Sequence, residues 1–269
     1  VKVTVLGRGR VGTALAEALG AAGVEARLLP GRSLPDVSGL VALCVPDDAI
    51  ETTATRLAAS LDAAGPPAGS AVVHCSGALG LEPLRPLADA GCAVGAWHPL
   101  QAFATTRTGI RDGITWAITA GEPLQTALHG LSERLGGHPI DLAEPDRARY
   151  HAAAVLAANY SVTLIAHATE LLAGCGVERR PALDALLPLM YSTLDGLAAH
   201  GLPDGLTGPA VRGDVGTLRR HLAALDDSDQ ATLYRACGLA TLGLVAERGV
   251  PADVVQQMRI LLTPPRQDR

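Results

Sequence analysis

VKVTVLGRGRVGTAL, residues 1–15, runs from an apolar strand through a glycine-rich turn into the start of an amphipathic helix. Gly7-Arg8-Gly9-Arg10-Val11-Gly12 fits the G-x-G-x-x-G pattern, and its position between strand and helix gives the pattern its meaning. In such a turn Gly7 permits the tight bend, Gly9 lets the backbone approach a pyrophosphate, and Gly12 lets the helix pack closely on the strand. The helix N-terminus adds free N–H groups and a partial positive charge. The stretch therefore reads as a dinucleotide-binding turn, with Gly7, Arg8, Gly9, Arg10, Val11 and Gly12 as candidates to bind the cofactor.

The segments that follow repeat the alternation. Strands are expected at Val1–Leu6, Glu25–Leu29, Leu40–Val45, Ala71–His74, Ala93–Trp97, Thr115–Thr119 and His138–Leu142, and helices at Val11–Ala22, Ala49–Ala63 and Pro123–Leu135. Leu40–Val45 is a continuous apolar run, as a strand covered on both faces requires. Strands alternating with helical patterns predict βαβ units in a mostly parallel, doubly wound sheet. From Glu144 onward only helical patterns remain, over about 145–173, 180–200, 214–225, 228–248 and 251–262. Asp141 followed by Glu144 resembles a capping box, with Pro145 suited to a first turn. The expected fold is an α/β Rossmann domain over residues 1–143 followed by an all-α substrate and dimerisation domain over 144–269.

Composition narrows the function classes. Across 269 residues, 48% are hydrophobic and 18% charged, enough apolar material for packed cores. A net charge of -5 lacks the basic excess of a nucleic-acid-binding surface. Five cysteines at irregular spacing favour a reducing, cytoplasmic setting over a disulfide framework, and no metal-ligand spacing is present. No leader pattern is visible at the start. His151–Thr169 carries no Asp, Glu, Lys or Arg. Because it contains Asn159, Tyr160, Ser161, Thr163 and two histidines, it is expected to be a buried helix of a soluble protein and not a membrane span.

The second strand bears on cofactor choice. An NAD site usually places an acid at the end of this strand to hold the ribose 2′-hydroxyl. Here the strand ends Leu28-Leu29-Pro30-Gly31-Arg32-Ser33, with no acid. Arg32 and Ser33 supply a cation and a hydroxyl suited to a 2′-phosphate, so NADP(H) is expected.

Ligands of open α/β sheets sit beyond the C-terminal ends of the strands. Those ends read Val45-Pro46-Asp47-Asp48, His74-Cys75-Ser76-Gly77 and His98-Pro99-Leu100-Gln101. Val45, Pro46, Asp47 and Ser76 join the cofactor candidates. Ser76 and His98 are also catalytic candidates, and His74, Gly77 and Gln101 are substrate candidates. On the long helix, His151, Val155 and Asn159 advance by fours and drift across one broad face. A buried Asn159 needs a partner, either a nicotinamide carboxamide or substrate oxygen or a neighbouring helix. Arg212 is open to two readings, binding an anionic substrate or pairing with Asp214.

Six motifs in order carry a family resemblance: GRGRVGTAL at 7–15, VPDDAI at 45–50, HCSGALG at 74–80, HPLQAF at 98–103, YHAAAVLAANY at 150–160 and LTGPAVRGD at 206–214. The chain resembles the Rossmann-like oxidoreductases that carry a C-terminal helical domain of unknown function. That family is similar to 6-phosphogluconate dehydrogenase-fold enzymes, including ketopantoate reductase, pyrroline-carboxylate reductase and prephenate dehydrogenase. The resemblance implies NADP(H) binding and a homodimer packed through the helical domain.

The chain departs from the better-known relatives in one respect. Many of them use an interdomain lysine as acid and base, whereas among the 22 basic residues here only Lys2, in the first strand, is lysine. Arg147 and Arg149 stay protonated and cannot replace it. His151 is therefore the first candidate for the proton donor, with His98 and His74 next. The expected reaction is NADPH-dependent hydride transfer to a small carbonyl or imine, with a 2-oxo acid such as ketopantoate as the first substrate guess. A deazaflavin-linked NADP reductase and a non-catalytic NADP-binding regulator are the competing readings.

Overall fold

The computed structural model describes residues 2–61, 65–226 and 228–264. The chain divides into two compact units, Val1–Tyr160 and Ser161–Arg269. The change of texture at residue 144 follows the end of the sheet, and the division by compactness falls seventeen residues later, because the first helix after the sheet still belongs to the first unit.

The first unit is built on a seven-stranded sheet. Its strands are β1 (Val3–Leu6), β2 (Ala26–Leu29), β3 (Leu40–Leu43), β4 (Ala71–His74), β5 (Ala93–Pro99), β6 (Thr115–Ala120) and β7 (His138–Asp141), in the order β2-β1-β3-β4-β5-β6-β7. Every pairing is parallel except β5 with β6, where His98 stands opposite Ala117. Helices α1 (Arg10–Ala21), α2 (Asp47–Ala59), α3 (Arg85–Asp89) and α4 (Leu124–Arg134) complete the layers. One apolar cluster joins Val3, Val5, Ala42 and Val73 to Leu15 and Leu19 of α1 and Leu128 and Leu131 of α4. On the other face Leu6, Val41, Leu43 and Val72 meet Ile50 and Leu57 of α2 and Leu87 of α3. Residues of odd and even number on one strand thus feed opposite layers, the period-two rule of a sheet covered on both sides.

Several details differ from the sequence reading. Helix α2 begins two residues earlier than expected, since Pro46 takes the N-cap position and Asp47 and Asp48 favour the first turn of a helix dipole. Its expected end at Ala63 lies outside the described residues. Helix α3 was not anticipated, because Pro83, Pro86 and a length of five residues hide any helical period. The expected capping box does not form. Asp141 lies within β7, Ala143 occupies the cap, and Glu144 opens a 3-10 turn that ends at Asp146.

That turn leads into α5 (Arg147–Ala154), a π-helical turn at Val155–Asn159 and α6 (Tyr160–Gly174). The expectation of a buried helix over 151–169 does not hold: Leu156, Tyr160 and Val162 are exposed at 64%, 54% and 71%. Asn159 is exposed as well, so the core hydrogen bond considered for it is absent.

The second unit continues with α7 (Arg179–His200), α8 (Val215–Leu225), α9 (Asp229–Glu247) and α10 (Ala252–Leu262). Leu218 and Leu222 of α8, Leu242 and Val245 of α9, and Met258 and Leu262 of α10 form its core.

Candidate functional site

The glycine turn has the geometry its sequence calls for. Gly7 has φ +126°, and a Cβ there would lie 2.2 Å from the Cys44 carbonyl oxygen. A Cβ on Gly12 would lie 1.9 Å from the Gly7 carbonyl oxygen, so this glycine is needed for the helix to meet the turn. At Gly9, the N-cap of α1, an added Cβ meets nothing within 4 Å and no side chain caps the helix. The turn therefore presents open space in front of uncapped N–H groups, which suits a pyrophosphate. Arg8, Gly9 and Arg10 are exposed there. Arg32 is exposed at the end of β2, and the loop carrying it is held by Arg56, whose Nη2 donates to the Arg32 carbonyl at 2.9 Å. Arg56 was not picked out from sequence, since a helix-surface arginine carries no signal that it will reach a loop twenty-four residues away.

The 74–80 segment forms a tightly bonded loop beneath the strand ends. His74 is fully buried: its Nε2 donates to the Gly80 carbonyl at 2.9 Å, and its Nδ1 accepts from the Ser76 N–H at 3.2 Å. Both nitrogens are committed, and burial pulls its pKa below the ordinary value. His74 holds the loop together and presents no free nitrogen to a substrate. Ser76 is similarly occupied. Its hydroxyl donates to Asp47 Oδ2 at 2.8 Å and accepts from the N–H groups of Ala78 and Leu79. Asp47, at the start of α2, thereby ties the Val45-Pro46-Asp47 wall to this loop. Gln101 has both ends bonded, Nε2 to the Gly109 carbonyl and Oε1 to the Arg111 N–H, which pins the 101–111 loop. Cys44 and Cys75, one residue beyond β3 and β4, approach with Sγ atoms 3.5 Å apart. That contact, together with burial, pushes the Cys44 thiol pKa up.

Three other side chains converge. His98, near the end of β5, has Nδ1 2.7 Å from the Tyr150 hydroxyl, and its ring stands edge-on to both Tyr150 and His151. Gly77 fits between the two histidines: a Cβ there would lie 2.7 Å from His151 Nδ1 and 2.9 Å from His98 Nε2. His151 Nδ1 is buried with no hydrogen-bond partner. An unpaired buried N–H costs more than an unpaired lone pair, so the neutral ring carries its proton on Nε2. Burial, reinforced by the Arg147 charge, lowers the His98 pKa to about 4, and burial raises that of Tyr150 to about 12. Both are neutral at pH 7.

Beneath them lies Arg147, 1% exposed, whose guanidinium donates to the carbonyls of Leu79 and Ser76 and, at 3.0 Å, to Thr119 Oγ1. Sequence reasoning considered it only as a proton donor; its burial follows from the turn at Glu144–Asp146, which sends the first residue of α5 inward.

A cleft of about 780 Å³ connects these parts. Its lining includes Arg10 from the glycine turn, His98, Phe103, Tyr150, His151 and Asn159, together with small apolar residues such as Ala154 and Ala158. Of the sequence candidates, Arg10, His98, Gln101, His151 and Asn159 meet here. Arg212 belongs to the second unit, where it is exposed beside Asp214. Among the described residues no ion pair joins it to Asp214, whose two oxygens accept from Thr217 to cap α8, although the Arg212 charge helps to lower the Asp214 pKa.

A doubly wound dinucleotide-type sheet with a histidine-lined cleft defines the class to which the comparisons add detail. Residues 24–99 match a Rossmann-like domain model, and residues 114–241 match the domain of unknown function DUF2520. No curated protein matches the chain in sequence.

Solved structures share its fold. A Bacteroides fragilis protein named for NADP oxidoreductase activity is 21% identical at a TM-score of 0.69, over 91% of this chain and 98% of that one. Plasmodium falciparum pyrroline carboxylate reductase, solved with NADP bound, is 13% identical at 0.58, over 98% of both chains. An imine reductase of Streptomyces aurantiacus is 15% identical at 0.58, over 97% of this chain and 92% of that one.

Proposed function

We propose that the protein is an NADPH-dependent oxidoreductase that reduces a small carbonyl or imine compound. The observation that carries this reading is the continuity of the cleft from Arg10 of the glycine turn to His98, Tyr150 and His151. The neighbours named for NADP oxidoreductase, pyrroline carboxylate reductase and imine reductase activity support it. Gly7 to Gly12 would hold the pyrophosphate, with Val45, Pro46 and Asp47 as the next wall. Arg32 and Ser33 would hold a 2′-phosphate, on a loop steadied by Arg56. When bound, the nicotinamide supplies hydride. His151 presents Nε2–H to the substrate heteroatom and, from its imidazolium form, would pass it the proton that completes reduction, returning to the neutral ring. Asn159 orients the substrate or the carboxamide, and His98, bonded to Tyr150, forms the facing wall.

Among the substrates, the 2-oxo acids stay our first choice. Ketopantoate is one member of the class, and no neighbour named above is a ketopantoate reductase. A panel of 2-oxo acids, ketones and cyclic imines followed by NADPH absorbance tests the reading. Turnover that collapses in His151→Ala with NADPH affinity preserved supports it; a blank across the panel with tight NADPH binding favours a non-catalytic regulator. Thermal-shift titration should give tighter binding of NADPH than NADH. The reverse order would remove Arg32 and Ser33 from the cofactor site.

A homodimer packed through the helices, in the cytoplasm, completes the proposal. Leu189, Tyr191 and Leu194 on α7 are exposed at 62%, 62% and 55%, apolar surface that a second copy would cover. Among the described residues one helical stretch, Glu144–Gly174, is long and apolar enough to cross a membrane. Its Asn159, His167 and Glu170 favour contact with protein over lipid. Sedimentation of the wild type as a dimer, and of Leu189→Asp/Leu194→Asp as a monomer, would support the assembly. Detergent-dependent extraction would overturn it.

A further inference from the structure

We propose that Arg147 makes the histidine end of the cleft a positive site, so that the enzyme selects carbonyl compounds that carry or develop negative charge and rejects iminium cations. The inference deepens the reductase reading and rests on it. Arg147 is 1% exposed, and its guanidinium donates only to neutral oxygens, those of Leu79, Ser76 and Thr119. Among the described residues no carboxylate stands within ion-pair distance of it. Glu144, whose charge does favour the Arg147 cation, is exposed and accepts from the Leu81 N–H, and Asp47, also exposed, accepts from Ser76 Oγ.

Burying a cation without a direct ion-pair partner is costly, and a neutral donor would serve to tie two carbonyls together. The charge itself therefore calls for a role. A buried charge is poorly screened, so its field reaches its neighbours. Tyr150 and His98, both lining the cleft, respond to it: Arg147 disfavours the His98 cation and favours the Tyr150 anion, in the latter case against the effect of burial. The lining itself adds Arg10 and contains neither Asp nor Glu.

The chemistry follows from the sign of this field. Hydride addition to a carbonyl carbon breaks the C=O π bond and leaves the electron pair on oxygen, which then takes one proton to give the alcohol. A positive site stabilises that developing charge. Hydride addition to an iminium carbon gives a neutral amine with no proton required. The cationic substrate must first enter a positive cleft, which raises its KM.

The closing experiment has two arms. In the first, kcat/KM with NADPH is measured for 2-oxopentanoate, 2-pentanone and the N-methylpyrrolinium cation. The wild type should prefer the oxo acid to the cation by at least about tenfold, a difference of 1.4 kcal/mol. The preference should persist in Arg147→Lys and collapse in Arg147→Gln. In the second arm, the His98 ring is titrated by NMR without cofactor. Its pKa should rise in Arg147→Gln and stay low in Arg147→Lys. If Arg147→Gln does not fold, Thr119→Asp, which sets a carboxylate on the retained guanidinium, should raise it instead. Equal use of the pyrrolinium cation by the wild type overturns the inference, as does a His98 titration unmoved by either charge change. Absence of NADPH binding would defeat the reductase reading, and the titration would still decide the field of Arg147.

Discussion

Gly9 and Gly12 stand three residues apart in one turn, yet an added methyl group meets nothing at the first and the Gly7 carbonyl oxygen at 1.9 Å at the second. The two positions should therefore fail differently. Gly9→Ala should keep the thermal midpoint of the wild type and weaken NADPH binding at least about tenfold, because the added methyl projects where the pyrophosphate approaches. Gly12→Ala should destabilise the fold by about 1–3 kcal/mol in urea titration, since backbone must shift to admit the methyl. Equal thermal midpoints for the two variants would count against the open-turn geometry. At Gly77 an added methyl meets both His151 Nδ1 and His98 Nε2. Gly77→Ala should lower kcat more than it lowers stability, as the imidazoles are pushed apart. Unchanged turnover there would remove the histidine pair from the active site.

At the scale of elements, the caps and loop ties decide which polar side chains are available. Asp214 accepts from the Thr217 N–H at 2.9 Å and caps α8, and Ser228 caps α9 through the Ala231 N–H. Asp214→Ala should cost about 1 kcal/mol in denaturant unfolding, with Arg212→Ala close to neutral. Comparable losses from both would restore a role for the Arg212–Asp214 pair. The sequence left that pair open because Asp before a helix and Asp near Arg are the same string of letters. Ser76 and Gln101 illustrate the same ambiguity. Their amide and hydroxyl groups suit a ligand equally well, and only the loop conformations give them internal partners. The glycine turn had no such ambiguity, since strand, glycines and helix restrict one another locally.

For the whole molecule, the buried imidazoles set an acid limit. The unfolded chain takes up a proton at His98 near its ordinary value of 6.5, and the folded chain takes it up only at about 4. Protons therefore bind the unfolded state more strongly between these values, and stability falls as pH drops through that window. The contribution is about 3 kcal/mol at most for a separation of this size. It is fully present above pH 6.5. Urea midpoints measured from pH 7 to pH 4 should decline, and His98→Asn should flatten the decline. A pH-independent midpoint in the wild type would mean that the imidazole is not buried in solution.

The alternation of strands and helices, the doubly wound sheet and the glycine turn were determined by the sequence alone. Each depends on periodicity and on steric limits acting within a few residues. The identities of His98, His151 and Asn159 as candidates came from the same local reading, through strand ends and helix spacing. Their company was decided only by the tertiary structure. Tyr150 on His98, Gly77 between two imidazoles, and Arg147 buried on neutral oxygens join segments 21 to 74 residues apart, and no local pattern encodes such approaches. The exposure of the apolar helix at 151–169 was likewise beyond the sequence, because composition marks a face as apolar without saying what covers it. The glycine turn of residues 7–12 could be read from sequence because its constraints are local, whereas the charge of the cleft depends on how distant residues pack.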